Sequence, residues 1–221
     1  MQIDVFTLVP QAFAWLTELR PVANVVGGEL DLRLFSYRDF TPLRATQVDD
    51  TPYGGGAGMV LRVDVVDAAL TAVYGAGPPP GRRVVALTPS GRQLDQPLVE
   101  ELAAEPALTI LSSRFEGFDE RILDRLVTDR LSIGPYVLSG GEIPALAIVD
   151  AIARKLPGAL GSEESGVEES FSAELGRGLE YPHYTRPAEY RGWTVPDVLL
   201  SGDHARIAAW RRERSAERSA A

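Results

Sequence analysis

The chain has 221 residues, 45% of them hydrophobic, and a formal charge of −9; this is ample apolar material for one or two packed domains and argues against whole-surface binding of nucleic acid. It contains no cysteine and only two histidines, His183 and His204, which excludes disulfides, thiolate-held metals and cysteine nucleophiles and leaves a histidine metal site short of ligands. No apolar run nears the roughly 20 residues that span a bilayer, and the first residues lack the basic, apolar and small-residue succession of an export signal, so the sequence reads as a cytoplasmic globular protein.

A β-rich apolar run opens the chain at residues 3–9, and similar runs recur at 30–37, 84–88 and 108–111. Stretches of helical periodicity lie between and beyond them, at 11–25, 63–74, 93–104 and 118–127. That alternation is the pattern of a parallel α/β sheet. Within it lies the loop P-Y-G-G-G-A-G-M (52–59), preceded by the polar residues 46–51, which do not read as a strand. The loop looks like a phosphate cradle, yet Met59 stands where the dinucleotide fingerprint has its last glycine, and no Gly-Lys-Ser/Thr occurs in the chain. A surface loop and a ligand-holding role both stay open.

Further along, T-P-S-G-R (88–92) leaves a strand and enters a helix, which puts it at the carboxyl edge of the sheet, where open α/β folds bind ligands. The segment S-R-F-E-G-F-D-E-R (113–121) does the same, and its Arg114, Phe115 and Glu116 offer charge, a stacking face and hydrogen bonds suited to a nucleobase. A fifth strand is expected at 131–138, within S-I-G-P-Y-V-L-S-G-G-E (132–142), before a helix at 143–155 that Pro157 and Gly158 stop. Here glycines let a ligand approach the backbone while Ile133, Tyr136, Val137 and Leu138 supply apolar walls. One such loop is an ordinary strand and turn; three at one sheet edge favour a shared ligand site.

Residues 161–180 hold Glu163, Glu164, Glu168, Glu169, Glu174 and Glu180 against the single base Arg177 and read as a flexible, solvated acidic linker. The balance then reverses, with Arg206, Arg211, Arg212, Arg214 and Arg218 after residue 200. A short helix is expected from Val195-Pro196 to Ser201-Gly202, then a second one capped by Asp203 and running through Arg214, with Trp210, Ile207 and Leu200 burying one face.

Taken in order, V-D-D-T-P-Y-G-G-G-A-G-M (48–59), G-R-Q-L-D-Q (91–96), R-F-E-G-F-D-E-R (114–121), S-I-G-P-Y-V-L-S-G-G-E (132–142), P-H-Y-T-R-P (182–187) and V-P-D-V-L-L-S-G-D-H (195–204) resemble the bacterial tRNA (guanine-N1)-methyltransferase family, the TrmD type of the SPOUT superfamily. The resemblance covers nearly the whole chain. It implies an α/β fold, a SPOUT-type parallel sheet with a deep C-terminal trefoil knot over residues 1–160, then the linker 161–180 and a small, shortened helical tRNA-binding domain at 181–221. Periodicity carries no trace of a knot.

The same resemblance implies S-adenosylmethionine as methyl donor, held by Leu87, Thr88, Pro89 and Gly91, by Ser113, Phe115, Glu116 and Gly117, and by Ser132, Ile133, Gly134, Pro135, Tyr136, Val137 and Leu138, with Gly140, Gly141 and Pro144 closing the site. Glu180 would approach the donor's ammonium group from the partner subunit of a homodimer whose active site lies at the interface. Glu169 is implied as the acceptor of the guanine N1 proton and Arg154 as the group that stabilises charge on O6. Without the resemblance, Arg154 reads as a helix-end arginine. Asp50, Tyr53, Arg114, His183, Tyr184 and His204 are implied RNA contacts, the substrate being tRNA with guanosine at positions 36 and 37; magnesium is implied without ligands. Ser113, Pro135 and Glu169 depart from the family's glycine and two aspartates. A noncatalytic RNA-binding relative is the alternative, and the failed fingerprint sets a dinucleotide-dependent oxidoreductase aside.

Overall fold

Alternation along the apolar runs decides which face each residue serves. In the computed structural model, which describes residues 1–161 and 169–220, the strand β1 (Gln2–Thr7) sends Ile3 and Val5 into one core and Phe6 into another. Chain order then gives a one-turn helix α1 (Trp15–Glu18), β2 (Asp31–Ser36), the short pair β3 (Asp49–Asp50) and β4 (Val60–Leu61), α2 (Val63–Tyr74), β5 (Arg83–Gln93), α3 (Gln96–Ala103), β6 (Ala107–Leu111), α4 (Glu120–Arg125), β7 (Asp129–Ser132) and α5 (Glu142–Ala153). The five long strands form one sheet in the order β2-β1-β6-β5-β7, and every neighbouring pair is parallel. Its first face packs on Leu98 and Leu102 of α3 and Ile148, Val149 and Ile152 of α5, its second on Val65, Val66 and Leu70 of α2 and Ile122 of α4. All carboxyl ends therefore emerge at one edge.

The ladder between β5 and β7 breaks once. Leu87 and Arg92 both pair with Leu131, so Thr88, Pro89, Ser90 and Gly91 fall between two stretches of pairing. Gly91 is required there, because a Cβ would lie 2.5 Å from the backbone carbon of Arg130.

Three local expectations are corrected. The helix expected at 11–25 is a 3-10 turn at Pro10–Phe13, α1, and a second 3-10 turn at Val22–Asn24; the chain leaves the helix at Leu19, extended at φ −109° and ψ 129°, and Pro21, which has no N–H to give and disfavours the helical region for the residue before it, keeps the two pieces apart. The strand expected at 131–138 ends at Ser132. Its hydroxyl accepts from Gly134 N at 3.2 Å and donates to Gly134 O at 2.9 Å, and Tyr136 N donates to Gly134 O at 2.9 Å across Pro135, whose fixed φ suits such a three-residue turn. Finally, the polar segment before the glycine loop does enter a strand, as Asp49–Asp50 pairs antiparallel with Val60–Leu61 and frames the loop.

The chain divides into two compact units, Met1–Ala159 and Leu160–Ala221. In the second, residues 162–168 of the expected linker lie outside the described residues, while Glu169 to Glu180 run through turns tied to one helix. That helix is α7 (His204–Ala220), which follows the antiparallel pair β8 (Glu189–Tyr190) and β9 (Trp193–Thr194) and the short α6 (Asp197–Leu200). Ser215 Oγ donates to Leu179 O at 2.6 Å, Leu179 N donates to Ser219 Oγ at 2.8 Å, and Arg218 Nη1 donates to Glu180 O at 3.1 Å. Asp203 caps α7 as expected, its Oδ1 accepting from Arg206 N at 3.1 Å, and the helix continues past Arg214 to Ala220. Trp210 packs beside Tyr184, ring centroids 6.3 Å apart, but Leu200 is 59% exposed and buries no face. Among the described residues no helix is long and apolar enough to cross a membrane.

Candidate functional site

Three loops at the carboxyl edge of the sheet converge with the start of α5 on a cavity of about 290 Å³. From β5 come Leu87, Thr88 and Pro89; after β6 come Ser113, Arg114, Phe115, Glu116 and Gly117; from the end of β7 onward come Leu131, Ser132, Ile133, Gly134, Tyr136, Val137 and Leu138. Gly140, Gly141 and Pro144 complete the wall.

Short backbone contacts clamp the second and third loops together. Gly141 N donates to Ser113 O at 2.7 Å, and Arg114 forms an isolated antiparallel bridge with Gly140. A Cβ on Gly141 would lie 2.7 Å from Ser112 Oγ, so only glycine lets the turn close this tightly. At Gly117 the opposite holds: φ is +107° and a Cβ would meet nothing within 4 Å, so the backbone borders open space in the cavity wall. Phe115 is held at φ +64° and remains 46% exposed, a strained backbone for a bulky residue at a ligand-sized opening. Ser113 itself is not among the left-handed residues, so its side chain, where the family pattern has glycine, carries no such strain.

The glycine loop 52–59 reaches this rim. Glu116 N donates to Met59 O at 2.9 Å, and the Glu116 side chain occupies the space that a Cβ on Gly58 would need. Beneath the wall, Glu142 is 6% exposed; its Oε1 accepts from Thr7 Oγ1 at 3.0 Å and its Oε2 from Arg114 Nη1 at 3.4 Å. Buried Tyr37 has its phenol pKa pushed up, first by burial and then by the charge of Glu142.

Of the residues expected around a donor, Gly91 and Pro135 do not border the cavity; Gly91 lies against the Arg130 backbone and Pro135 sits within its turn. Glu180 belongs to the second unit, where its Oε2 lies 3.2 Å from His183 Nε2. Arg154 ends α5 as its C-cap, about 15 Å along the helix from Pro144 at a rise of roughly 1.5 Å per residue, so one chain does not bring it to the cavity rim. Glu169 lies in the second unit, its carbonyl accepting from Ser172 N at 3.0 Å.

Among the expected RNA contacts, Asp50 and Tyr53 border a second, open groove with Arg62 and Arg121. Tyr53 is fully exposed, while Asp50 Oδ2 accepts from Arg62 Nη1 at 3.0 Å. Arg114 lines the cavity at the sheet edge. His183, Tyr184 and His204 all lie in the second unit; Tyr184 is 49% exposed. Leu131 and Glu142 escaped the sequence reading of the site. The alternation of β7 could have found Leu131, whereas nothing in the order Gly-Gly-Glu signals that the acid opening a helix is buried. No three histidine, aspartate or glutamate side chains gather as a metal site among the described residues.

The sequence profile described as tRNA (Guanine-1)-methyltransferase TrmD matches residues 1–221. A protein of Brevibacillus brevis named tRNA (guanine-N(1)-)-methyltransferase is 48% identical over 222 residues, covering 100% of this chain and 89% of that protein. Proteins of the same name from Gloeobacter violaceus and Ralstonia nicotianae are each 48% identical, covering 99% and 97% of this chain and 95% and 81% of theirs.

Proposed function

The chain belongs to the TrmD family of tRNA (guanine-1)-methyltransferases, and on that premise we infer that it is an S-adenosylmethionine-dependent enzyme that methylates guanine N1 in tRNA, at position 37 beside the anticodon. The observation that carries this reading is the convergence of three strand-end loops and the Gly140-Gly141 turn on one cavity. Leu87, Leu131, Ile133 and Leu138 offer it apolar walls, and the glycine positions leave peptide groups within reach of a ligand. The noncatalytic alternative is not favoured.

When bound, the donor supplies a methyl group on positively charged sulfur. The chain's residues supply the rest. Glu169 takes the N1 proton, which frees the lone pair that must attack; Arg154 stabilises the negative charge that develops on O6. Glu180 faces the donor's ammonium group. Membership of the family supports a homodimer with its active site at the subunit interface. The two-step pairing of β5 with β7 around Thr88 to Gly91 is compatible with the family's trefoil knot.

We assign residues 1–160 to the donor-binding domain and 181–221 to tRNA contact, with 161–180 joining them. Asp50, Tyr53, Arg114, His183, Tyr184 and His204 meet the RNA by stacking and phosphate contacts. The work is done in the cytoplasm, where tRNA is. Labelled donor and a tRNA transcript carrying guanosine at positions 36 and 37 test the reading: label should enter the wild-type RNA and not a transcript with adenosine at 37. Donor binding without transfer to either RNA would overturn it.

A further inference from the structure

Three charged side chains set the electrostatics of the donor cavity. Arg114 and Glu116 line it, and Glu142 lies just behind Arg114, at 3.4 Å, with its side chain 8% exposed against 38% for the arginine. Glu142 is anchored from the other side by Thr7 Oγ1 at the end of β1, so its carboxylate is fixed to the sheet as well as to the loop. A guanidinium stays charged at every ordinary pH. Were Glu142 neutral, Arg114 would offset the negative charge of Glu116 in the cavity wall, and a low-dielectric wall makes that offset stronger than it would be in water.

The donor proposed for this cavity differs from its demethylated product in one respect that matters here: its sulfur is a cation, and the product's is neutral. We propose that Glu142 is a positioning residue that acts through Arg114, holding the guanidinium against the start of α5 and cancelling its charge, so that the cavity favours the sulfonium donor over the neutral thioether product. This rests on the donor-site reading above. The consequence is selectivity by charge: with Arg114 cancelled by Glu142, Glu116 leaves the wall negative, so it attracts the positive sulfur before transfer and loses that attraction once the methyl has left, which favours exchange of product for fresh donor.

Calorimetric titration of the full chain with S-adenosylmethionine and, separately, with S-adenosylhomocysteine tests it. Glu142→Gln keeps the shape and a hydrogen-bonding partner for Thr7; it should weaken the donor about tenfold and the product less than about threefold. Glu142→Gln combined with Arg114→Gln should return the donor-to-product ratio to near the wild-type value, because both members of the cancelling pair are then gone and Glu116 again sets the charge of the wall. Arg114→Gln alone should move the ratio a few-fold toward the donor, and it decides the matter if Glu142→Gln does not fold. Equal loss of both ligands in Glu142→Gln, no restoration in the double variant, or an unmoved ratio in Arg114→Gln overturns the proposal. Wild-type protein that bound neither ligand would instead bring down the donor-site reading itself.

Discussion

Glu169 is the proposed acceptor of the N1 proton, and a single atom change isolates that role. Glu169→Gln keeps the side chain's size and its backbone bond from Ser172, so donor affinity should hold within about twofold while single-turnover transfer slows tenfold or more; equal loss of donor binding would give the residue a structural role instead. Gly141 is the opposite kind of residue, important for what it lacks. Gly141→Ala would press a methyl group against Ser112 Oγ at 2.7 Å and Ser112 Cα at 3.0 Å, so the turn must open. The expected cost is about 1–3 kcal/mol in urea unfolding together with weaker donor binding, and the two effects should appear together because one contact closes both the fold and the cavity wall.

At the scale of elements, β1 brings a charge into the interior. Asp4 is fully buried and accepts from Arg33 Nε and Nη2 at 2.7 Å, from Arg82 Nη2 at 2.7 Å and from Tyr74 OH at 2.6 Å. Burial works to raise its pKa, but the hydrogen bonds from Arg33, Tyr74 and Gln2 and the charge of Arg82 outweigh it, and the carboxyl titrates below its ordinary value. A depressed carboxylate contributes stability above its unfolded pKa and loses it as pH falls through the folded one. Asp4→Ala should therefore destabilise the first unit by roughly 3–5 kcal/mol at pH 7, chiefly by leaving nearly buried Arg82 unpaired, and the gap to wild type should narrow below about pH 4. Urea unfolding at pH 7 and pH 3 checks both the size and the sign. In the second unit the Asp203 cap is a smaller device: Asp203→Ala should lower the stability of α7 by about 1 kcal/mol, and Asp203→Asn by much less, in thermal unfolding followed by circular dichroism.

For the whole molecule, the proposed homodimer is open to a mixing test. If neighbouring subunits complete each other, a chain with its cavity filled by Gly117→Leu and a chain carrying Glu169→Gln are each inactive alone, but mixing and refolding them in equal amounts should restore about a quarter of the wild-type rate, since half the dimers then contain one intact site. No recovery would mean that each chain builds its site alone. Charge acts at this scale too. The formal charge of −9 repels RNA in general, so affinity should depend on the arginines of α7, and replacing Arg211 and Arg212 by glutamine should reduce the salt dependence of tRNA binding by up to about two counterions.

Sequence determined what depends on near neighbours and on repeated patterns. The parallel α/β alternation, α2, the Asp203 cap and the stop after α5 follow from periodicity, a side chain's reach to the next turn, and proline and glycine chemistry. Glycines at the strand ends also marked the three loops at 88–92, 113–121 and 132–142 as a shared ligand site. What only the tertiary structure decided depends on atoms far apart in the chain. Nothing local distinguishes Gly91, which packs against Arg130, from Gly117, which faces open space. Nothing local says that Glu142 would be buried and paired with both Thr7 and Arg114. Strand Leu131 to Leu138 failed as an expectation for a related reason: its apolar residues were needed by a cavity wall rather than a ladder, and a hydrophobic side chain reads the same in a sequence whether it will face a neighbouring strand or a ligand.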